Sequence, residues 1–367
     1  MGGALVCRKL AVLTFAVIVV SVLTTAGYGQ LLGVYEFDGG GDGTSWDDPA
    51  NWEQVLDPFG TPISGNPATP PDAVTSAEIP LNGVVIDNTM PGQTALDARV
   101  GTANGAGSLL MSGGGLTVRD LLVGADGSGT NGGSFDLSGG TAHGNDDIVI
   151  GAGSIGTMTM SGGTASTGDD FDINGGSSVT ITGGNINIGD RLNMLGNASL
   201  FVDGGDILAD DDFFFFEDSQ ITVDSGSMIV NDKLRFDDSE AFNGKLTING
   251  GFVRSNEFGL EIVGDLTDFR GVVEINGDGV YQVEAPGVGS PISQLSVAVA
   301  KALINEGVHL ITSELAPRRL GAKTVIVPEF DGRQNVVFTQ ISVVPEPSAV
   351  ALLAIGFLGL AMGRRRS

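Results

Sequence analysis

One cysteine, two histidines and 18 basic residues in 367 are what this chain has least of, and each shortage excludes a class of protein. A lone Cys7 allows no internal disulfide and no cysteine metal site, so stability has to come from packing. His143 and His309 lie in different regions, and no Ser/His/Asp or clustered-histidine spacing surrounds either. Serine-type hydrolysis is therefore unsupported. Against 18 Lys and Arg stand 44 Asp and Glu, a formal net charge of −26. Without residues 1–30 and 345–367 the count is 13 basic against 43 acidic, a net of −30. Such a body repels nucleic acid and anionic membrane surfaces and attracts metal ions or cationic partners. Glycine is abundant, 58 residues, yet stretches such as Gly124–Gly133 lack the lysine and the strand-to-helix setting of a phosphate loop. They read as insertions.

Long apolar runs are missing everywhere but at the two ends. At the N-terminus Arg8 and Lys9 precede an apolar stretch, Leu10–Leu23, and small residues follow at Ala26, Gly27 and Gly29. That order is a secretory signal over residues 1–29, with an uncleaved anchor as the alternative. Cys7 lies inside it, so the mature protein has no thiol.

Between the ends the chain repeats. Seven segments of one pattern begin at Ser108, Ser134, Thr157, Ser178, Ser199, Gln220 and Lys245. The shortest spacing is 21 residues, and the longer ones carry loop insertions. Apolar residues alternate with polar ones, the two-residue period of a strand. The same columns are apolar throughout: Leu109, Phe135, Met158, Val179, Leu200, Ile221 and Leu246, then Met111, Leu137, Met160, Ile181, Val202, Val223 and Ile248. A weaker middle strand carries Leu116, Ile186, Ile207, Met228 and Val253, and a third strand carries pairs such as Ile148 and Ile150. Gly-Gly follows the first strand in six units, with Ser225-Gly226 as the exception, and marks a tight corner. Three short strands in about 21 residues are too few for a propeller blade and lack the leucine-rich pattern. The fold class expected is all-β, a right-handed parallel β-helix over residues 101–284. Seven rungs at roughly 4.8 Å make a rod of about 34 Å.

Such a rod needs covered ends. Residues 30–100 hold Trp46, Trp52 and a proline-rich run. They read as an irregular N-terminal cap, the tryptophans packing rather than stacking on sugar. Strands are expected near Ala77–Ile79 and Val84–Ile86, and Ala95–Gly101 looks like a first partial rung. Residues 285–344 read as the C-terminal cap. There Ser293–Asn305 suits either a helix or strands, and Val308–Ser313, Lys323–Val327 and Val336–Val344 suit closing strands.

The tail runs Pro345-Glu346-Pro347, an uncharged apolar run Ala349–Met362, and Arg364, Arg365 and Arg366. Fourteen residues rise about 21 Å as a helix, short for a bilayer core of about 30 Å, but the terminal arginines suit a span with its tip in the cytoplasm. These three parts in this order resemble the PEP-CTERM sorting signal of Gram-negative bacteria, over residues 345–367. The resemblance implies a transmembrane sorting helix, an exosortase as processing partner, a transient inner-membrane anchor, and release to the cell surface or an extracellular matrix, with a link to exopolysaccharide. The repeats resemble, less specifically, autotransporter-associated β-strand repeats.

Two surface features stand out. An acid is thirteenth in every unit: Asp120, Asp146, Asp169, Asp190, Asp211, Asp232 and Glu257. Stacked carboxylates repel by about 0.9 kcal/mol per pair in water, and oxygen-only clusters suit calcium. Weak calcium binding along the ladder is one expectation; a plain turn role is the other. No other cofactor is expected. In Asp212–Glu217 the register points Phe213 and Phe215 inward and Phe214 and Phe216 outward, a candidate surface contact. No catalytic constellation stands out, so the expected role is that of an exported structural or adhesive rod, not an enzyme. Exopolysaccharide or matrix proteins are its candidate partners, and the alternatives are a carbohydrate-active enzyme or a carbohydrate-binding module on the same scaffold.

Overall fold

The computed structural model describes residues 33–56, 61–90, 92–236, 244–259, 272–284, 310–311, 318–330 and 333–345. The expected leader, the undecided segment 293–305 and the expected membrane helix lie outside the described residues. Strands wind into a β-solenoid of about eight turns. Among the described residues there is no α-helix, only a 3-10 turn at Pro49–Asn51, and no helix is long and apolar enough to cross a membrane.

The apolar columns read from the sequence are the inward-facing ladders. On the first side Leu109 lies opposite Phe135, Phe135 opposite Met158, and the pairing continues in parallel through Val179, Leu200, Ile221, Leu246 and Val273. On the second side Leu116, Ala142, Ala165, Ile186, Ile207, Met228 and Val253 stack in the same way. On the third, Leu121, Ile148, Phe171, Leu192, Phe213 and Leu234 do so. All of these are buried. The ladder also extends upstream of residue 101: Ser76–Ile79 pairs with Asp97–Val100, Val84–Ile86 with the strand Gly107–Val118, and Gln93–Thr94 with that same strand. Residues 76–94 thus supply a full rung rather than irregular capping strands.

In six of the seven units the corner is held by a left-handed glycine, and Gly251 of the Gly250-Gly251 pair is the exception. Gly114, Gly140, Gly163, Gly184, Gly205 and Gly226 have φ of 64°, 79°, 77°, 88°, 76° and 82°, the left-handed region. A Cβ on Gly184 would fall 2.6 Å from the Gly163 carbonyl oxygen, and one on Gly226 would fall 2.2 Å from that of Gly205. Ser225 is therefore tolerated where other units have the first glycine, because Gly226 keeps the position that cannot carry a side chain. Around these corners the backbone often stays extended: Gly107–Val118 and Gly133–Gly144 each cover two sides, and Gln220–Phe236 covers all three.

Antiparallel strands cover both ends. At the first end Val34–Phe37 pairs in parallel with Ser76–Ile79 and antiparallel with Trp52–Leu56. Trp46 and Trp52 are fully buried, edge to face at 5.0 Å, and Phe37 meets Trp52 at 5.2 Å. The Trp52 indole donates to the Trp46 carbonyl at 2.8 Å. Rings so enclosed cannot stack on a sugar. Asn51, also buried, ties the glycine-rich loop below them: its Oδ1 accepts from the Gly41 and Gly43 amides, both at 2.9 Å, and its Nδ2 donates to Asp42 at 2.7 Å. At the other end Arg333–Pro345 runs antiparallel to both Val280–Glu284 and Arg318–Phe330. Phe338 and Ile341 of that hairpin are buried. The Arg254 guanidinium lies 4.9 Å from the Phe252 ring centre and 4.8 Å from that of Phe338, and donates to Gln282. This cation–π sandwich ties the closing hairpin to the last rungs.

Gly184→Ala tests the corner rule. A left-handed alanine costs about 1–2 kcal/mol, and the Gly163 carbonyl has to move as well, so the melting temperature of the variant should fall by several degrees. An unchanged melting curve would mean that the corners relax freely and do not constrain the stack.

Candidate functional site

The corner between the second and third sides carries the acids. Asp146, Asp169, Asp190, Asp211 and Asp232 form one column in which each amide donates to the preceding aspartate's carbonyl, at 3.0, 3.0, 3.0 and 3.4 Å. Asp120 and Glu257 do not belong to it, which corrects the seven-membered column counted from the sequence. The corner from Val118 to Leu121 has two intervening residues, whereas the next, from Gly144 to Ile148, has three, and those flanking residues are paired. Asp146 consequently sits over Arg119, and Asp120 is level with Asp147. At the far end Glu257 pairs with Lys233.

A second, inner column results: Asp97, Asp120, Asp147, Asp170, Arg191, Asp212, Lys233 and Glu257. Its aspartates act as clips between rungs. Asp120 Oδ1 accepts from the Asp147 amide at 3.4 Å, Asp147 Oδ1 from Asp170 at 3.1 Å, Asp170 Oδ1 from Arg191 at 3.1 Å and Asp212 Oδ1 from Lys233 at 3.0 Å. Of the acids for which a turn role was expected, Asp120 acts in this way, on the following rung rather than on its own backbone, and the other clips are the acids that stand next to the expected ones.

Basic residues interleave where the acids are densest. Arg119 bridges Asp97 at 2.7 Å and Asp120 at 2.9 Å. Arg191 lies 3.5 Å from Asp211, Lys233 3.7 Å from Asp232, and Arg235 3.2 Å from the buried Asp212. Burial raises the Asp212 carboxyl, with Arg235 opposing, and raises Asp190, which also shares a hydrogen bond with Asp211. Asp147 is pushed up to about 6, first by burial and then by the charges of Asp172, Asp120 and Asp146. Three groups bring carboxylate oxygens within 4.8 Å of one another: Asp146, Asp147 and Asp169; Asp169, Asp170 and Asp190; Asp211, Asp212 and Asp232. They offer oxygen ligands of the type hard cations take, although the inner carboxylate of each already holds a backbone amide. No sequence pattern announces the clips, because they depend on which rung lies above.

Phe214 and Phe216 point outward and are half-buried, while Phe213 and Phe215 are buried. The two outer rings lie 5.7 Å apart at 17°, and the Arg235 guanidinium sits 5.1 Å over Phe214. Leu195, 39% exposed, extends this apolar patch onto the neighbouring rung, where the Phe216 amide donates to the Met194 carbonyl. Glu217, next in the chain, is left-handed at φ 54°. His143 is half-buried on the second side, its Nδ1 2.8 Å from Ser166 Oγ. Of the sorting residues, Pro345 ends the closing strand, and Glu346, Pro347 and Arg364–Arg366 lie outside the described residues.

Residues 343–366 match the PEP-CTERM protein-sorting motif. No curated protein and no solved structure matches the chain. The match begins inside the last strand of the cap, Arg333–Pro345, and leaves the body outside it.

Asp147→Asn tests the ladder's electrostatics. A carboxyl raised to about 6 in the folded state, against about 3.9 unfolded, binds its proton more tightly when folded. The folded state therefore loses stability as pH rises through that window. Asparagine keeps the acceptor for Asp170 and removes the charge. The variant should melt higher at pH 7.5, by about 1 kcal/mol after allowance for solvent screening, and match the parent near pH 4. A lower melting point at pH 7.5 alone would make the charge itself stabilising, and a lower one at both pH values would assign the loss to the poorer fit of the amide. The same curves in millimolar calcium and in sodium of matched ionic strength address the cation expectation. Equal curves leave only screening; a rise selective for calcium and weakened by Asp147→Asn assigns the ion to the Asp146, Asp147 and Asp169 group.

Proposed function

We propose that this protein is a structural or adhesive β-solenoid rod that an exosortase releases to the cell surface or the surrounding matrix. The sorting motif at residues 343–366 marks an exported protein, held transiently in the membrane and processed by an exosortase. What supports a free-standing rod is the position of that motif. The last described strand of the cap ends at Pro345, with Phe338 and Ile341 buried, three residues into the motif. Cutting within or after Pro345–Ser348 leaves every described strand whole. Export across the inner membrane by the leader of residues 1–29 belongs to the same proposal. Acidity suits a surface role, since an excess of carboxylates keeps the rod soluble and deters self-association. Mass spectrometry of the mature C-terminus in the native host should find it near Pro345–Ser348. A mature chain that keeps Arg364–Arg366 overturns the processing.

A binding role has one observation behind it. Phe214 and Phe216, stacked on each other, form with the exposed Leu195 an apolar patch, and such patches are typical contact sites. Sugar rings of a matrix polysaccharide fit it as ligand. Phe214→Ser with Phe216→Ser should abolish retention on the host's own exopolysaccharide and leave the melting curve within about 1 kcal/mol of the parent. Unchanged retention removes the patch as a contact. A collapse of stability assigns the rings to packing. Release of reducing sugar from that polysaccharide by the parent protein would favour an enzyme instead.

A further inference from the structure

The closing hairpin is the part of the molecule that chain connectivity holds nearest the membrane before processing. Only Glu346, Pro347 and Ser348 separate Pro345 from Ala349, where the apolar run begins. Four residue steps span at most about 14 Å even when fully extended. The headgroup layer on each side of a bilayer is about 5–8 Å deep. With the apolar run inserted, Pro345 therefore lies at or just above the headgroups, whatever path the linking residues take.

Charge along the chain is divided to match. Residues 31–284 carry eight basic and 39 acidic residues, a net of −31. Residues 285–344 carry five basic and four acidic, a net of +1. Three of those five bases, Arg318, Arg319 and Lys323, fall on the first strand of the hairpin, and the register pairs Arg318 with Pro345 and Arg319 with Val344. Paired residues across antiparallel strands are about 5 Å apart. Two arginine positions thus flank the point where the chain leaves the fold for the bilayer. An anionic surface repels the acidic rungs strongly within a Debye length, about 8–10 Å at ordinary salt. Only the hairpin end can enter that layer without a penalty from its own charge.

We infer that Arg318 and Arg319, with Lys323 behind them, form a basic foot that seats the anchored precursor on anionic lipid headgroups. The rest of the acidic rod is thereby held away from the surface. Basic residues at such a surface are worth on the order of fivefold each in binding. The inference rests on the membrane-anchored stage of the proposed function, and its test separates the two.

The full chain, with Cys7→Ser and a fluorophore on Val344→Cys, is placed in nanodiscs of phosphatidylcholine alone or with about a third phosphatidylglycerol. Val344 is 42% exposed, so the label sits at the exit point without displacing core. Spin-labelled headgroups report its approach. Quenching in both lipids shows the anchored stage. Quenching at least about twofold stronger with phosphatidylglycerol, lost in 0.5 M salt and lost in Arg318→Glu with Arg319→Glu, is the expected result. Arg333→Glu, at the far end of the labelled strand Arg333–Pro345 and about 37 Å along it from Val344, should keep the lipid dependence. Equal quenching in the two lipids, or equal loss from Arg333→Glu, overturns the foot while leaving the anchor. Absence of quenching in both lipids overturns the anchor and the foot together. Slower exosortase processing of the charge-reversed chain without any lipid dependence assigns the bases to the protease, and the lipid contact falls.

Discussion

Backbone-to-backbone contact at the corners governs this structure. Each rung must follow the one beneath it at the spacing of hydrogen-bonded strands, and at the Gly-Gly corner the carbonyl of one rung occupies the place where a Cβ of the next would stand. Gly226 over Gly205 is the tightest case among the second glycines of these corners, at 2.2 Å to the carbonyl oxygen. With φ positive and no room for a side chain, glycine is obligatory at these six corners. Everything else in the rod follows from the stacking that this permits.

Stacking places like over like. For Leu109, Phe135 and Met158 that is favourable, since it yields continuous buried ladders. For the acids it concentrates charge of one sign. The structure offsets this in two ways. Inner aspartates accept an amide from the following rung, so that each charge also serves as an inter-rung clip. Arg119, Arg191, Lys233 and Arg235 stand where the columns are densest. Asp147 lies in a stretch with few such bases, and burial first, then the charges of Asp172, Asp120 and Asp146, raise its carboxyl.

Ends are the second demand of a stack, and both are met by reversing strand direction. The N-terminal end pairs Val34–Phe37 with Trp52–Leu56 over a tryptophan core, and the C-terminal end folds a long hairpin across Val280–Glu284. The sorting motif starts in the last strand of that hairpin and shares its final three residues, 343–345. The described strands end at Pro345, and the excess of acid lies in residues 31–284 rather than in residues 285–344.

Much of this was legible in the amino-acid order. A 21-residue period with fixed apolar columns determines a solenoid, since alternation, glycine corners and period all act locally or between neighbouring units. The three parts of the tail are contiguous, so they too could be read directly. Tryptophan burial was expected, although the Asn51 hub beneath the rings was not, because its partners converge only in the folded loop. Registration of the acids was the point where counting failed. Asp120 and Glu257 are thirteenth in their units, yet their corners are one residue shorter and the paired strands on either side draw them into the inner column. Position in a repeat is a property of the sequence; position in a ladder is decided by hydrogen bonds to another rung, and only the tertiary structure contains those.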